Sequence, residues 1–294
     1  MTTATAPPAR AASLPDLERR VRDGEFGPAP EDLRIAVAFT TTQAVRHEGR
    51  AGGYRNEVLS LRLGEAVGSC AVEPGTLPAA TVEECAGTSV ARLLAHPATA
   101  VRTAALDAYL MHVTPHTAAH GAHPWPLPAG SSLHKSRARA RGVVDLLRAA
   151  PGQRVLVVGV VNSLLEALRA RGLDPVPCDL KGGTTEWGQA VRTDALAALD
   201  GCDAVLASGM TLGNGTFEPL REHAVRHGKQ LVMFAQTGSA ILPRLLGAGV
   251  DAVCAEPYPF FWLDGGPGVI HRYGVAPGRG PARPHGRPTA GGAA

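Results

Sequence analysis

Residues 153–180 read QRVLVVGVVNSLLEALRARGLDPVPCDL. QRVLVVGVV (153–161) is an apolar run of strand length, as expected of a strand covered on both faces. NSLLEALRARG (162–172) spaces its leucines as one face of a helix and closes on Gly172, and DPVPCDL (174–180) is a second short strand. The alternation continues with CDAVLAS (202–208) as strand, TFEPLREHAVRHG (216–228) as helix and KQLVMFAQ (229–236) as strand. SAILPRLLGAG (239–249) then reads as helix and VDAVCAEP (250–257) as a last parallel strand. Strands alternating with helices of about a dozen residues build a doubly wound, mostly parallel sheet. This predicts an α/β, Rossmann-like domain over 131–276, opened by a helix over Ser131–Ala150.

Upstream the pattern differs. Ser13 to Val21 carries a helix start, with Ser13 as N-cap, Pro15 and an early acid. Leu33–Val45 and Tyr54–Val72 hold β-type runs separated by the turn-like EGRAGG. Thr81–His96 and Pro97–Val113 read as two helices. Strands followed by helices make a smaller α+β domain over 13–130. Its end, Thr114–Ser132, is rich in proline and reads as a linker or an active-site loop. The segments 1–12 and 277–294 lack periodicity and read as disordered tails.

A chain of 294 residues fits two domains. With 45% hydrophobic and 19% charged residues it reads as an ordinary globular protein, and no run is long enough to span a membrane. A formal charge of +3 with scattered arginines gives no nucleic-acid footprint. The five cysteines Cys70, Cys85, Cys178, Cys202 and Cys254 form no CxxC pair, which favours reduced, buried thiols. The N-terminus lacks a signal-peptide core, so a cytoplasmic location is expected. A homo-oligomer is compatible with the sequence.

In an open parallel sheet ligands bind beyond the carboxyl ends of the strands. The ends here carry Asn162 and Ser163; Asp179, Lys181 and Glu186; Ser208, Thr211, Asn214 and Thr216; Gln236, Thr237 and Ser239; and Glu256 with Tyr258. Each has an ordinary alternative. Asn162 and Ser163 suit an N-cap as well as a ligand. Asp179 stands where a Rossmann acid grips a ribose hydroxyl, or closes a turn with Gly182 and Gly183. Lys181 suits an anion, a base or an imine, or is simply solvated. Gln236-Thr237-Gly238-Ser239 before a helix suits an anion, or Ser239 is a cap. Thr216 is the expected cap of the following helix, leaving Asn214 between two glycines to point at the rim. Tyr258, Phe260, Phe261 and Trp262 supply four of thirteen aromatics (four Tyr, six Phe, three Trp). They either wall a pocket or plug a core.

His116, His120 and His123 in the proline-rich loop offer zinc- or iron-type ligands, against a solvated loop as the alternative. The first βα turn lacks GxGxxG, and HExxH, GxSxG and P-loop motifs are absent.

Met210-TLGNGTFEPL-Leu220 resembles a loop of the Rossmann-like "putative heavy-metal chelation" family, a domain of unknown function. The family carries T-T-L-x-N-x-T-x-x-x-L after its third or fourth strand. Thr211, Leu212, Asn214, Thr216 and Leu220 match, and Met210 replaces the first Thr. The family joins this domain to one resembling the enolase N-terminal fold, for which Leu33–Val113, with AGTSVARLLAHPATAVRTAALDAYL, is the counterpart. FAQTGS (234–239) departs from the family's proline-containing segment.

Two functions follow. The first is a small-molecule enzyme of specialised biosynthesis, taking an amino-acid- or nucleotide-like ligand in the interdomain cleft. Asn214, Thr216, Gln236, Thr237 and Ser239 would hold the ligand; Lys181, Asp179 or Glu186 would supply acid–base chemistry. S-adenosylmethionine is a candidate cosubstrate. The second, implied by the resemblance, is a protein that binds a divalent metal ion or handles a metal chelate through the loop histidines or rim carboxylates.

Overall fold

The structure is a computed structural model that describes residues 10–50 and 52–274. The expected tail over 277–294 and most of that over 1–12 lie outside the described residues. Ala11, which the sequence reading placed in the tail, is buried, and its N–H donates to Arg244 O at 3.0 Å.

The N-terminal part begins with helix α1 (Leu14–Arg22), which Ser13 caps by accepting from Asp16 N. Strands β1 (Val37–Val45), β2 (Tyr54–Leu63) and β3 (Ala66–Val72) form an antiparallel meander. Helices α2 (Ala79–Cys85), α3 (Val90–Leu94) and α4 (Thr99–Val113) follow. The helix expected over 81–96 is thus broken in two. Gly87, at φ +76°, leaves the helix so that its N–H reaches Ile35 O, while Ile35 N returns to Thr88 O. A long-range pairing has displaced a locally favourable turn of helix.

The larger part starts earlier than expected. Strand β4 (His123–Leu127), within the presumed linker, pairs antiparallel with β10 (Gly268–Tyr273). Pro124 and Pro126 have no N–H to give, which the edge of a sheet tolerates and its centre does not. Helix α5 (Ser132–Val144) leads into strand β5 (Arg154–Val158), helix α6 (Asn162–Ala170) and strand β6 (Asp174–Cys178). Then come α7 (Ala195–Leu199), β7 (Ala204–Ser208), α8 (Met210–Gly213), α9 (Phe217–Arg226), β8 (Gln230–Ala235) and β9 (Ala252–Ala255). The helix expected over 239–249 is only a 3-10 turn at Leu242–Leu245, beside Pro243 and the positive-φ Gly247 and Gly249.

The large sheet runs β4-β10-β9-β8-β7-β5-β6, with β5 through β9 mutually parallel. Strand order reverses at β5, so the switch point lies between the carboxyl ends of β5 and β7.

Alternation along the buried strands divides the core. Val155, Val157, Leu206, Val232 and Phe234 face one layer with α5 and α6. Leu156, Val205, Ala207, Leu231 and Met233 face the other, in one continuous cluster with Leu59, Leu61, Ala104 and Tyr109 of the N-terminal part. The two parts therefore share a core. All five cysteines are buried free thiols. Among the described residues no helix is long and apolar enough to cross a membrane.

Candidate ligand site at the sheet switch point

A cavity of about 480 Å³ opens at the switch point. Val158 and Gly159 close one side after β5, and Cys178 and Asp179 another after β6. Ser208, Met210, Thr211, Asn214 and Thr216 line the wall formed by the loop after β7, and Glu73 reaches in from beyond β3. Gly159 is at φ +88°, and a Cβ there would lie 2.7 Å from Ser208 Cβ, so glycine lets the two strand ends meet.

The loop 208–216 is built differently from its sequence reading. Thr216 makes no side-chain cap. Instead Asn214 Oδ1 accepts from Thr216 N at 3.1 Å and from Thr216 Oγ1 at 2.7 Å, an Asx turn that shapes the helix entry. Gly213 and Gly215 have separate reasons. A Cβ on Gly213 would lie 2.7 Å from Cys70 Sγ, so this glycine lets α8 rest on β3. Gly215 needs its φ of +76°. Ser208 Oγ accepts from Met210 N, and Thr211 Oγ1 donates to Ser208 O.

Asp179 lines the cavity, with Oδ1 accepting from Lys181 N at 3.0 Å. Asp179 thus closes its turn, with Gly182 N donating to its carbonyl, and also lines the cavity. Lys181 does not line the cavity; its side chain is exposed and pairs with Glu73 at 3.0 Å. Glu186 is elsewhere, in an ion network with Arg50, which also holds Glu166 at 2.6 Å. The three acid–base candidates are not gathered at one point. Sequence reasoning missed Glu73, Thr193 and Asp194 in the lining. Asp194 caps the short α7, where it accepts from Leu196 N and Ala197 N.

The remaining rim candidates serve the seam between the two parts or the core. Thr237 and Ser239 are buried, and Thr237 Oγ1 accepts from Ala71 N at 2.8 Å. Gly238 N donates to Ser69 O and Ala240 N to Asp107 Oδ1, so these amides hold the N-terminal part rather than an anion. Gln236 stands beside them, its Nε2 sealed from solvent and without a hydrogen-bond partner among the described residues. Ser163 is buried and accepts from Ser136 Oγ, and α6 is entered from Val161 without a side-chain cap, which corrects the capping role of Asn162 and Ser163. Glu256 forms a buried pair with Arg139 at 2.7 Å and accepts from Phe261 N. Tyr258 meets Phe39 and Phe260 edge-on, and Trp262 Nε1 donates to Gln43 Oε1. The aromatic cluster is a plug between β1 and the large sheet, and its residues do not line the cavity.

The loop histidines are also dispersed. His116 Nδ1 meets the Tyr273 hydroxyl at 2.6 Å and its ring stacks on His271 at 4.9 Å. His120 Nδ1 bonds Pro115 O, and His123 is exposed on β4. Burial, with His271, Arg244 and His120 nearby, pushes the His116 imidazole down to about 3 from an ordinary 6.5. Between those values the unfolded chain takes up a proton that the folded chain refuses, so stability is lost as pH falls. His116→Phe is expected to lose stability less steeply than the parent below pH ~6.5, by up to about 1.4 kcal/mol per pH unit. Urea unfolding across this pH range measures it, and parallel slopes would refute it.

Residues 142–255 match the family DUF364, described as "Putative heavy-metal chelation". Two DUF364-family proteins of unknown function have crystal structures similar to this chain. The one from Desulfitobacterium hafniense DCB-2 is 17% identical, with 81% of this chain and 85% of that chain covered and a TM-score of 0.54. The one from Pyrococcus horikoshii is 15% identical, with 81% and 86% covered and a TM-score of 0.51. At these identities the likeness establishes the fold, and it extends beyond the DUF364 segment into the N-terminal part. No curated protein matches the chain. The DUF364 segment contains β5 through β9, and hence every cavity residue except Glu73.

Proposed function

We propose that this protein binds a small molecule in the switch-point cavity and is an enzyme of specialised biosynthesis acting on an amino-acid- or nucleotide-like ligand. The observation that supports this reading is the chemistry of the lining. Glu73, Asp179 and Asp194 contribute carboxylates, and Thr193, Ser208, Thr211 and Thr216 contribute hydroxyls, whereas among the described residues no Lys, Arg or His lines the cavity. Such a wall accepts hydrogen bonds and favours positive charge, so it suits an ammonium, a sulfonium or ribose hydroxyls and disfavours a phosphate. Asp179 follows the second strand of the parallel unit, where an acid can hold a ribose without a glycine-rich pyrophosphate loop. S-adenosylmethionine, which carries an ammonium, a sulfonium and ribose hydroxyls, is the cosubstrate this wall fits best. Proton transfer falls to Asp179 and its carboxylate neighbours, with Lys181 acting on them through Glu73.

The test is a ligand panel read by thermal shift and calorimetry: S-adenosylmethionine, S-adenosylhomocysteine, nucleosides, amino acids and sugar phosphates. A cationic or ribose-bearing member is expected to bind, and Asp179→Asn to weaken it about 10- to 100-fold, the worth of one charge-assisted hydrogen bond. Selective binding of sugar phosphates, or unaltered affinity in Asp179→Asn, would sink the proposal.

A further inference from the structure

We propose that Asp200, His223 and His227 form a site for a divalent transition-metal ion of the zinc class, on the sheet edge opposite the cavity. Asp200 closes α7, and His227 closes α9 one helical turn after His223. Each helix ends just before the strand that follows it, β7 at Ala204 and β8 at Gln230. The three residues therefore lie at the amino-terminal edge of the parallel strands, whereas the cavity lies at their carboxyl ends.

The donor atoms of all three residues fall within 4.8 Å of one another. His223 Nε2 is 2.9 Å from Asp200 Oδ1, and the His223 and His227 rings stack with centroids 4.3 Å apart and 26° between planes. A solvated ion pair accounts for Asp200 and His223, but it leaves the parallel His227 ring unexplained. Histidines at i and i+4 project from one helix face and can chelate a single ion, and the carboxylate supplies a third ligand from a second element. The nitrogen-rich set selects zinc, nickel, cobalt or copper over magnesium and calcium, which take oxygen ligands. The ion would also lie at the carboxyl end of the ten-residue α9, where the helix dipole favours positive charge. Asp200 is exposed, which leaves room for water to complete the coordination sphere.

The proposal does not depend on the cavity reading. Untagged full-length chain, dialysed against micromolar zinc, is expected to retain one equivalent, and cobalt(II) to give the strong visible bands of a tetrahedral site. The double variant His223→Ala/His227→Ala should retain none, and its far-UV circular dichroism and metal-free melting temperature should match the parent. Asp200→Asn should bind more weakly, while Asp179→Asn should keep its zinc. Stoichiometric zinc in the double histidine variant, no zinc on the parent, or loss of zinc in Asp179→Asn would each overturn the assignment.

Discussion

Asp107→Ala is expected to lower the unfolding free energy by about 2–6 kcal/mol, measured by urea unfolding at neutral pH. Asp107 lies on α4 and is wholly buried, and its two oxygens serve different parts of the chain. Oδ2 accepts from Ser69 N on β3 at 2.9 Å, and Oδ1 from Ala240 N at 2.7 Å, in the loop after β8. Ile241 N also contributes. Burial raises the carboxyl to about 7 even though the three amides pull it down. Alanine would leave the Ser69 and Ala240 amides buried with no acceptor, at roughly 1–3 kcal/mol each, whereas Ile241 N keeps Gly238 O at 3.1 Å. Because the loop also carries Thr237, which accepts from Ala71 N, the damage should open the seam beneath the cavity. Hydrogen exchange at Ser69 and Ala240 is expected to accelerate ahead of the strand centres. A loss below about 1 kcal/mol would show that water or a rearranged side chain replaces the carboxylate.

The same seam explains which features were legible in the sequence. The parallel strands could be read because two-sided burial leaves uninterrupted apolar runs such as RVLVV (154–158), and their order of appearance places the ligand edge. The sequence does not show what covers that edge. Thr237 and the amides of Gly238 and Ala240 look like ligand groups in isolation, yet β3 and α4 occupy them. Likewise, no local pattern could show that Arg50 reaches Glu186, since the two are joined only by the folding of the β1–β2 turn over α6. The break at Gly87 and the edge strand at Pro124 were hidden for the same reason, because their partners, Ile35 and β10, are remote in the chain. Asn214 lines the cavity, and Thr216 stands at the N-cap position but makes no side-chain cap, its hydroxyl donating instead to Asn214 Oδ1.

Gly68→Ala is expected to cost about 3 kcal/mol or more, the upper range for forcing atoms into a packed core. Strand β3 lies directly on the backbone of α4 here. A Cβ on Gly68 would overlap Ala108 N and Ala104 O and lie 2.6 Å from Ala108 Cα, and backbone atoms cannot rotate away as a side chain would. Ala104 and Ala108, one helical turn apart, keep this face of α4 low enough for contact. That approach brings Asp107, beside Ala108, within reach of Ser69 N, beside Gly68. The two substitutions should therefore not add. If Gly68→Ala lifts α4 from β3, it already breaks the Asp107–Ser69 bond. The double variant should then fall short of the summed single losses by about 0.5 kcal/mol or more. Unfolding of the two single variants and the double variant measures this coupling. Additivity within about 0.3 kcal/mol would mean that the carboxylate holds its amides however closely the helix lies on the strand.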